Sequence, residues 1–499
     1  MKKTLAIVLA VLMLAATLVA CAQPGDSVDT TTAATADTTA PTGDTNTPAD
    51  TTAASADVTT EFVEDDIPEE LNFNNATVSI LYWSDVEKPE FEVLEQTGDI
   101  VNDAIYMRNL NTETRIKVDL NFIGTPGNFN NQKNFVSTAL NSISSGGEYD
   151  IFSGYSMTGA TLAVNGYVQD MNALEYLDFD KPWWPASLVD QATINNKLYF
   201  ASGDISTNML HMMYVVFFNK QLIVDNSLES PYELVDGGKW TYEKMFELGS
   251  NVYADKNGDG TRDADDAYGL CTASIHYDAF FTGAGLNTVE KDSNDQLIIS
   301  PSFNSEKTIA LLEGVCTYMW DSEDGYHGST GDVFARGNTI FTLDRSYMAL
   351  NRKDDITFEY GIVPVPKFDE AQENYITCLG FPYSMYAISV ASHNSDAAAA
   401  TLECLGSEGY REVTPMLFET SMKLKYSSDN EASAMYDIIR EGVSIDIGRI
   451  FCTELKNFTY STFRDRCSQN TPNAWASAYR AAEKQMNRVL SDINDTFSK

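Results

Sequence analysis

Positive charge is what this sequence has least of. Its 499 residues hold 33 Lys and Arg against 72 Asp and Glu, a formal net charge of −39. Nucleic-acid binding needs a cationic surface to replace released counterions, so that class is excluded, as is docking on anionic lipid. Histidine is scarce too, with four residues. The seven cysteines show no C-x-x-C spacing, which removes the common zinc frameworks. No G-x-S-x-G or H-E-x-x-H occurs, so no hydrolase signature is present. Beyond the first 21 residues there is no apolar run of the roughly 20 residues that a membrane span needs.

The opening residues, 1–21, read as an export signal. Lys2 and Lys3 precede the apolar stretch "LAIVLAVLMLAATLVA". "LVAC", Leu18 to Cys21, resembles the bacterial lipoprotein processing box, which implies that Cys21 becomes the lipid-carrying first residue of the mature chain. Several acyl chains, at about 0.8 kcal/mol per buried methylene, would hold it on a membrane. Residues 22–70 begin as a Thr/Ala/Asp tract too poor in apolar groups to offset its ordering entropy. They are expected to be a disordered tether, with the folded body starting near Leu71. Without the tether and the two leader lysines, the body keeps 60 acids and 31 bases. At over 400 residues it is too long for one core and suits two lobes.

Within the body, "DKNGDGTRDADD" has the ligand spacing of a twelve-residue calcium loop. Asp255, Asn257, Asp259, Thr261 (through its carbonyl), Asp263 and Asp266 fill the six ligand positions, with Gly260 at the tight turn. Asp266 stands where glutamate is usual. A helix is expected before the loop, capped by Thr241, and none after it, where "AYGLCTASIHY" follows. A lone loop with one flanking helix fits a structural calcium ion rather than a sensor.

"ATVSILYW", "RIKVDLNFI" and "YDIFSG" read as strands. "DIVNDAIYMRNLNTET" and "NFVSTALNSISSGG" read as helices between them. The alternation predicts a parallel α/β lobe. Six body cysteines, Cys271, Cys316, Cys378, Cys404, Cys452 and Cys467, allow fifteen full pairings, and spacing does not choose among them.

The ordered pieces "EYDIFSGY", "LAVNGYVQDM", "NNKLYFASGDIS", "YVVFFNKQL" and "KWTYEKMFELG" resemble the family 1, sugar-type solute-binding proteins of bacterial ABC importers. Phe334, Gly337 and Phe341 in "FARGNTIF" and Gly361, Pro364 and Pro366 in "YGIVPVP" extend the resemblance along the body. The resemblance implies an α/β, two-lobed periplasmic-binding-protein-like fold (type II). Lobe 1 would take 71–200 and 344–390, and lobe 2 would take 201–343 and 391–499. Hinge crossings would fall at Phe200 to Thr207 and Thr342 to Ser346. The implied function is a non-enzymatic, lipid-anchored receptor on the extracellular face of the cell membrane. It would act as a monomer, bind a carbohydrate (an oligosaccharide) between the lobes and hand it to a membrane permease.

A sugar cleft needs aromatic faces for ring C–H surfaces and polar groups for hydroxyls. The candidates are Trp83, Asp85, Tyr155, Trp183, Asp204, His276, Asp344, Arg345 and Tyr383. Trp320 and Trp475 read as core. The competing readings are a surface glycoside hydrolase, which needs two carboxylates about 5 or 6.5–9.5 Å apart, and a sensory or adhesive glycan-binding protein.

Overall fold

The computed structural model describes residues 62–86, 89–425 and 429–498. The export signal, Cys21 and most of the expected tether lie outside the described residues. The chain divides into residues 1–57 and a body from residue 58 onward.

Strand and helix alternate from the start of the body. β1 (Ala76–Trp83) leads to α1 (Ile100–Ile116), β2 (Val118–Thr125), α2 (Gln132–Ser145), β3 (Ile151–Tyr155) and α3 (Thr158–Val164). Asp99 caps α1 by accepting from the N–H groups of Val101 and Asn102. α2 ends at Gly146, whose φ of +111° suits a residue without Cβ. β1 pairs in parallel with both β2 and β3. This first sheet has the order β11-β3-β1-β2, closed by β11 (Ser384–Ile388), antiparallel to β3.

The second sheet has the order β10-β4-β9-β5-β8. It comprises β4 (Tyr214–Asn219), β5 (Tyr268–Thr272), β8 (Gly325–His327), β9 (Thr339–Arg345) and β10 (Tyr360–Pro364). A separate hairpin, β6 (Val289–Lys291) with β7 (Leu297–Ile299), lies outside it. Among the described residues no helix is long and apolar enough to cross a membrane.

Two expected boundaries move. The folded body begins before Leu71. Val63 and Ile67 pack on the first core, and the Asp65 carboxylate takes both guanidinium arms of Arg115, at 2.5 and 2.6 Å, and the Ser407 hydroxyl at 2.6 Å. Burial alone would raise the Asp65 carboxyl; Arg115 and Ser407 outweigh it and hold the group below its usual range. The return crossing is the second shift. Thr342 to Ser346 do not carry the chain back, because β9 and β10 both pair with β4. The chain returns through Leu379–Ser384, which leads into β11 of the first sheet. Sequence alternation finds strands but not which sheet each one joins. The first core also takes α8 (Ser395–Glu408), whose Ala397, Ala398, Ala399 and Ala400 are all buried beside Ile80, Ile151 and Tyr386. Residues 391–499 are therefore divided between the lobes.

Glu403 of α8 is buried, with Oε2 accepting from Trp184 Nε1 at 3.0 Å and from the Asp178 N–H at 3.3 Å. Burial raises its carboxyl to about 7. A raised acid stabilises the fold fully below its unfolded value, about 4.5, and loses that contribution as pH rises through about 7. His276 and His327, lowered by burial, act in the opposite sense below about 6.5. Glu454, which burial also raises to about 7, acts in the same sense as Glu403, so over pH 6.5–8 the two acids act together without the histidines opposing them. There the melting temperature is expected to fall with pH, and Glu403→Gln to flatten the fall in thermal scans. An unchanged slope would take Glu403 out of the account.

Candidate functional site

Parallel strands gather their carboxyl ends on one edge, where open α/β sheets bind ligands. In the first lobe β1 ends at Trp83, β2 at Thr125 and β3 at Tyr155. In the second, β5 runs parallel to both β8 and β9, so Thr272, His327 and Arg345 mark the corresponding edge. Both edges abut the same two connecting segments. From the first lobe, Trp83 Nε1 donates to Ser384 Oγ at 2.7 Å and Ser156 Oγ to the Phe381 carbonyl at 2.6 Å. From the second, the Ser346 N–H reaches the Met213 carbonyl at 2.8 Å and its hydroxyl the Leu210 carbonyl at 2.7 Å. The segments touch each other where the Gly380 N–H meets the Met212 carbonyl at 2.8 Å. The two strand-end edges thus face one another across a hinge.

A buried acid holds this hinge. Glu90 Oε1 accepts from Ser206 Oγ at 2.7 Å and from the Asn208 N–H at 2.8 Å, while Oε2 accepts from Ser384 Oγ at 2.5 Å. One carboxylate therefore grips both connecting segments. Arg108 braces it, donating to the Glu90 carbonyl at 2.7 Å and the Ile205 carbonyl at 3.2 Å. Burial raises the Glu90 carboxyl despite its hydroxyl and amide donors, and lowers the Arg108 guanidinium to about 10.

Within the hinge lies a five-residue helix, α4 (Thr207–His211), and a hollow opens on each side of it. Thr207 and His211 line one of about 240 Å³, together with Asp99 and Ile100 at the start of α1, and Leu350. Ser206, Met209 and Leu210 line the other, of about 360 Å³, with Asp204, Leu379 and Arg440. Burial raises the Asp204 carboxyl to about 6, against the pull of Arg440 and Thr414.

The expected site residues fall into four groups. Trp83, Tyr155, Trp183, His276 and Tyr383 are buried. Trp83 and Tyr155 pack edge to face at 5.3 Å, and Trp183 lies against Gly406 and Tyr410. His276 bonds the Leu343 carbonyl through Nδ1 at 2.8 Å. In this conformation these side chains are buried and present no face to solvent. Asp85 shapes a loop: it accepts from the N–H groups of Gly127 and Asn128 at 2.7 and 2.9 Å and from Asn131 Nδ2 at 2.9 Å. Gly127 must lack a side chain, since a Cβ there would come within 2.8 Å of Trp83 Cβ. Asp344 and Arg345 end β9 at the hinge. Asp344 accepts from Thr330 Oγ1 and from the Arg345 N–H, with His276 Nε2 at 3.5 Å. Among the described residues Arg345 has Met212 Sδ at 3.4 Å and a distant Asp344 oxygen at 3.9 Å, so its guanidinium is poorly matched there. Asp204 lines the hollow of about 360 Å³ beside α4, with Met209, Leu210 and Arg440.

Apolar side chains that do reach solvent at the strand ends were missed by sequence reasoning. Phe129 is 47% exposed on the loop that Asp85 shapes, and Ile275 is 44% exposed after β5. Trp320 is 37% exposed, correcting its assignment to the core; Trp475 is buried as expected. Trp320 stacks on His327 at 5.3 Å and donates Nε1–H to the Cys467 carbonyl at 2.7 Å. At the hinge, Phe381 lies under the Arg449 guanidinium, 4.1 Å from the ring centroid, and packs on Tyr460 at 5.9 Å. No periodicity marks these positions: Phe129 and Ile275 sit singly after strands, while Trp320 and Phe381 sit just before β8 and β11.

The profile of the bacterial extracellular solute-binding proteins matches residues 98–412, well over half the chain. The chain belongs to that family. Its members bind solutes outside the cytoplasm, in the extracellular or periplasmic space. Solved structures give the same fold at low identity. The cyclic alpha-maltosyl-1,6-maltose binding protein from Arthrobacter globiformis is 15% identical, with 83% of this chain and 99% of that one covered and a TM-score of 0.55. The GacH receptor of Streptomyces glaucescens, solved unliganded and with acarbose, is 14% identical over 83% and 99%, at 0.53. The maltose-binding protein MalE from Listeria monocytogenes, solved with maltose, is 14% identical over 83% and 98%, at 0.52. No curated protein matches the sequence significantly.

The acidic loop has a geometry of its own. The Asp255 carboxylate accepts from the N–H groups of Gly258 and Gly260 at 2.6 and 2.9 Å. Asn257 Oδ1, Asp259 Oδ1 and Asp263 Oδ1 each accept from the N–H two residues on. Asp266 takes the Lys256 and Asp263 N–H groups and the Tyr253 hydroxyl, at 3.1, 3.2 and 3.2 Å. Among the described residues no three acidic, histidine or cysteine side chains converge as metal ligands. The preceding helix, α5 (Tyr242–Leu248), is capped by Thr241, and β5 rather than a helix follows the loop.

Proposed function

We propose that this solute-binding protein is the carbohydrate receptor of an ABC importer and closes its lobes over an oligosaccharide. The observation that carries the reading is that both sheets bring their parallel-strand ends to one hinge, where Phe129, Ile275 and Trp320 expose apolar faces and the Arg345 guanidinium is under-satisfied. Aromatic faces give area against sugar rings, and directional donors select among hydroxyl patterns. The oligosaccharide ligands of the structurally similar proteins point the same way. The ligand acts through its greater affinity for the closed form, which a permease then recognises. The extreme acidity of the chain disfavours an anionic solute. Anchoring through Cys21 would keep the receptor at the outer face of the membrane.

Calcium at residues 255–266 belongs to the same proposal. Every ligand position carries oxygen, which fits a hard cation, but the carboxylates now serve the loop's own N–H groups and would have to turn inward to hold it. Asp255, Asp259, Asp263 and Asp266 would supply charge, Asn257 and the Thr261 carbonyl neutral oxygens, and the ion would stiffen the second lobe.

One experiment tests both parts. Maltooligosaccharides are expected to raise the melting temperature, with Kd in the micromolar range by calorimetry, and EDTA to lower it without changing ligand preference. If no soluble glycan shifts melting, the carbohydrate reading is lost. An EDTA-insensitive melt would leave the loop self-supporting and calcium-free.

A further inference from the structure

Two of the six body cysteines meet. Cys316 ends α7 (Glu306–Cys316) and Cys467 lies near the end of α10 (Phe458–Ser468). The two thiols act on each other: Cys467 lowers the Cys316 thiol, and Cys316 adds to the rise that burial gives the Cys467 thiol. Independently, Cys316 Sγ lies 3.6 Å from the carbonyl oxygen of Arg466, the residue just before Cys467. A third tie follows one turn beyond Cys316, where Trp320 Nε1 reaches the Cys467 carbonyl. Other thiols turn elsewhere: Cys378 to the Leu379 carbonyl and Cys452 to Asn457 Oδ1. Where spacing left fifteen pairings open, the fold brings one pair of thiols together.

We propose that Cys316 and Cys467 form a disulfide that staples α7 to α10 beneath the cleft wall. The family works outside the cytoplasm, where disulfides persist. The bond forms by thiol–disulfide exchange with a disulfide oxidant. The Cys316 thiolate attacks one sulfur of the oxidant, giving a mixed disulfide and releasing one oxidant thiol. The Cys467 thiolate then attacks the Cys316 sulfur and displaces the second oxidant thiol. Two electrons pass from the cysteines to the oxidant, and their two protons end on its thiols. Both cysteines are buried in the finished fold, so the exchange belongs to folding after export.

The cross-link closes a long loop and acts on the cleft. Cys467 holds Trp320 through its carbonyl, and its neighbour Ser468 bonds Ser274, beside exposed Ile275, at 3.0 Å. Joining the helices fixes the apolar wall of the second lobe without adding to it. The inference does not depend on which solute binds.

The full-length protein, equilibrated with oxidised glutathione during refolding, is alkylated in denaturant, digested and mapped by mass spectrometry. The expected result is a joined Cys316–Cys467 peptide pair, with Cys271, Cys378, Cys404 and Cys452 alkylated. Alkylation of Cys316 and Cys467 in that sample, or either one joined to another cysteine, would overturn the proposal. Reductant is expected to lower the melting temperature of the oxidised protein by about 5 °C and to leave a folded Cys316→Ser/Cys467→Ser variant unmoved. Should that variant not fold, the peptide map decides alone.

Discussion

Asp278→Ala is expected to remove about 3–5 kcal/mol of folding stability, the usual cost of stranding buried charge. Asp278 is buried in α6 (Tyr277–Gly283) and faces two guanidinium groups. Arg449 Nη1 donates to it at 2.6 Å and Arg464 Nε at 2.9 Å, with a second Arg464 nitrogen on the same carboxylate. Burial would raise the Asp278 carboxyl, but Arg464 and Arg449 overcome it and hold the group below its usual range. Removing the carboxylate leaves two cations in the interior without the group that pairs both of them. Since domains are stable by roughly 5–15 kcal/mol, the loss should be plain in the urea midpoint. An unmoved midpoint would show that the arginines find other partners. The sign of the pH effect is fixed as well. A lowered acid contributes above its unfolded value, near 3.8, and loses that contribution as pH falls below it. Acid unfolding of the wild type should therefore steepen there, and Asp278→Asn should lack that component. The loss would also reach the hinge, because Arg449 covers Phe381 and donates to the Leu379 carbonyl at 3.1 Å.

The second large effect falls on binding. Trp320→Ala is expected to weaken oligosaccharide affinity by about 2 kcal/mol, roughly thirtyfold in Kd. Trp320 offers the largest aromatic surface at the second lobe's strand ends, and its ring is already oriented by His327 behind it and the Cys467 carbonyl beside it. Little of that orientation has to be created when a sugar stacks, which favours affinity. Trp320→Phe should recover part of the loss by keeping a flat face. Titration calorimetry on folded variants gives the answer, and equal affinities for wild type and Trp320→Ala would remove Trp320 from the site.

Much of the first lobe was legible in the sequence because its elements are locally coded. "ATVSILYW" alternates and becomes β1 over the same residues, Ala76–Trp83. The helix after it begins at the Asp99 cap and the next strand at Val118. The helix before the acidic loop and the strand after it were also visible, through Thr241 and the β-branched run. What spacing could not reveal was long-range placement. β9 and β10 stay in the second sheet because they pair with β4, a choice made by partners over a hundred residues away in the chain. Trp83 and Trp320 were exchanged for the same reason: one ends a strand and the other precedes one, and only packing decides that Trp83 bonds Ser384 inside the hinge while Trp320 faces solvent. Asp65 was assigned to the tether by its acidic neighbours. Arg115, distant in sequence, draws it into the core.

The short helix α4 has a mechanical consequence. With Thr207 and His211 turned to one hollow and Ser206, Met209 and Leu210 to the other, it would act as a pivot if the lobes rotate about the hinge. A swing that narrows the gap on one flank must widen the gap on the opposite flank, so a bulky side chain wedged behind the pivot would tilt the molecule toward closure without touching the solute.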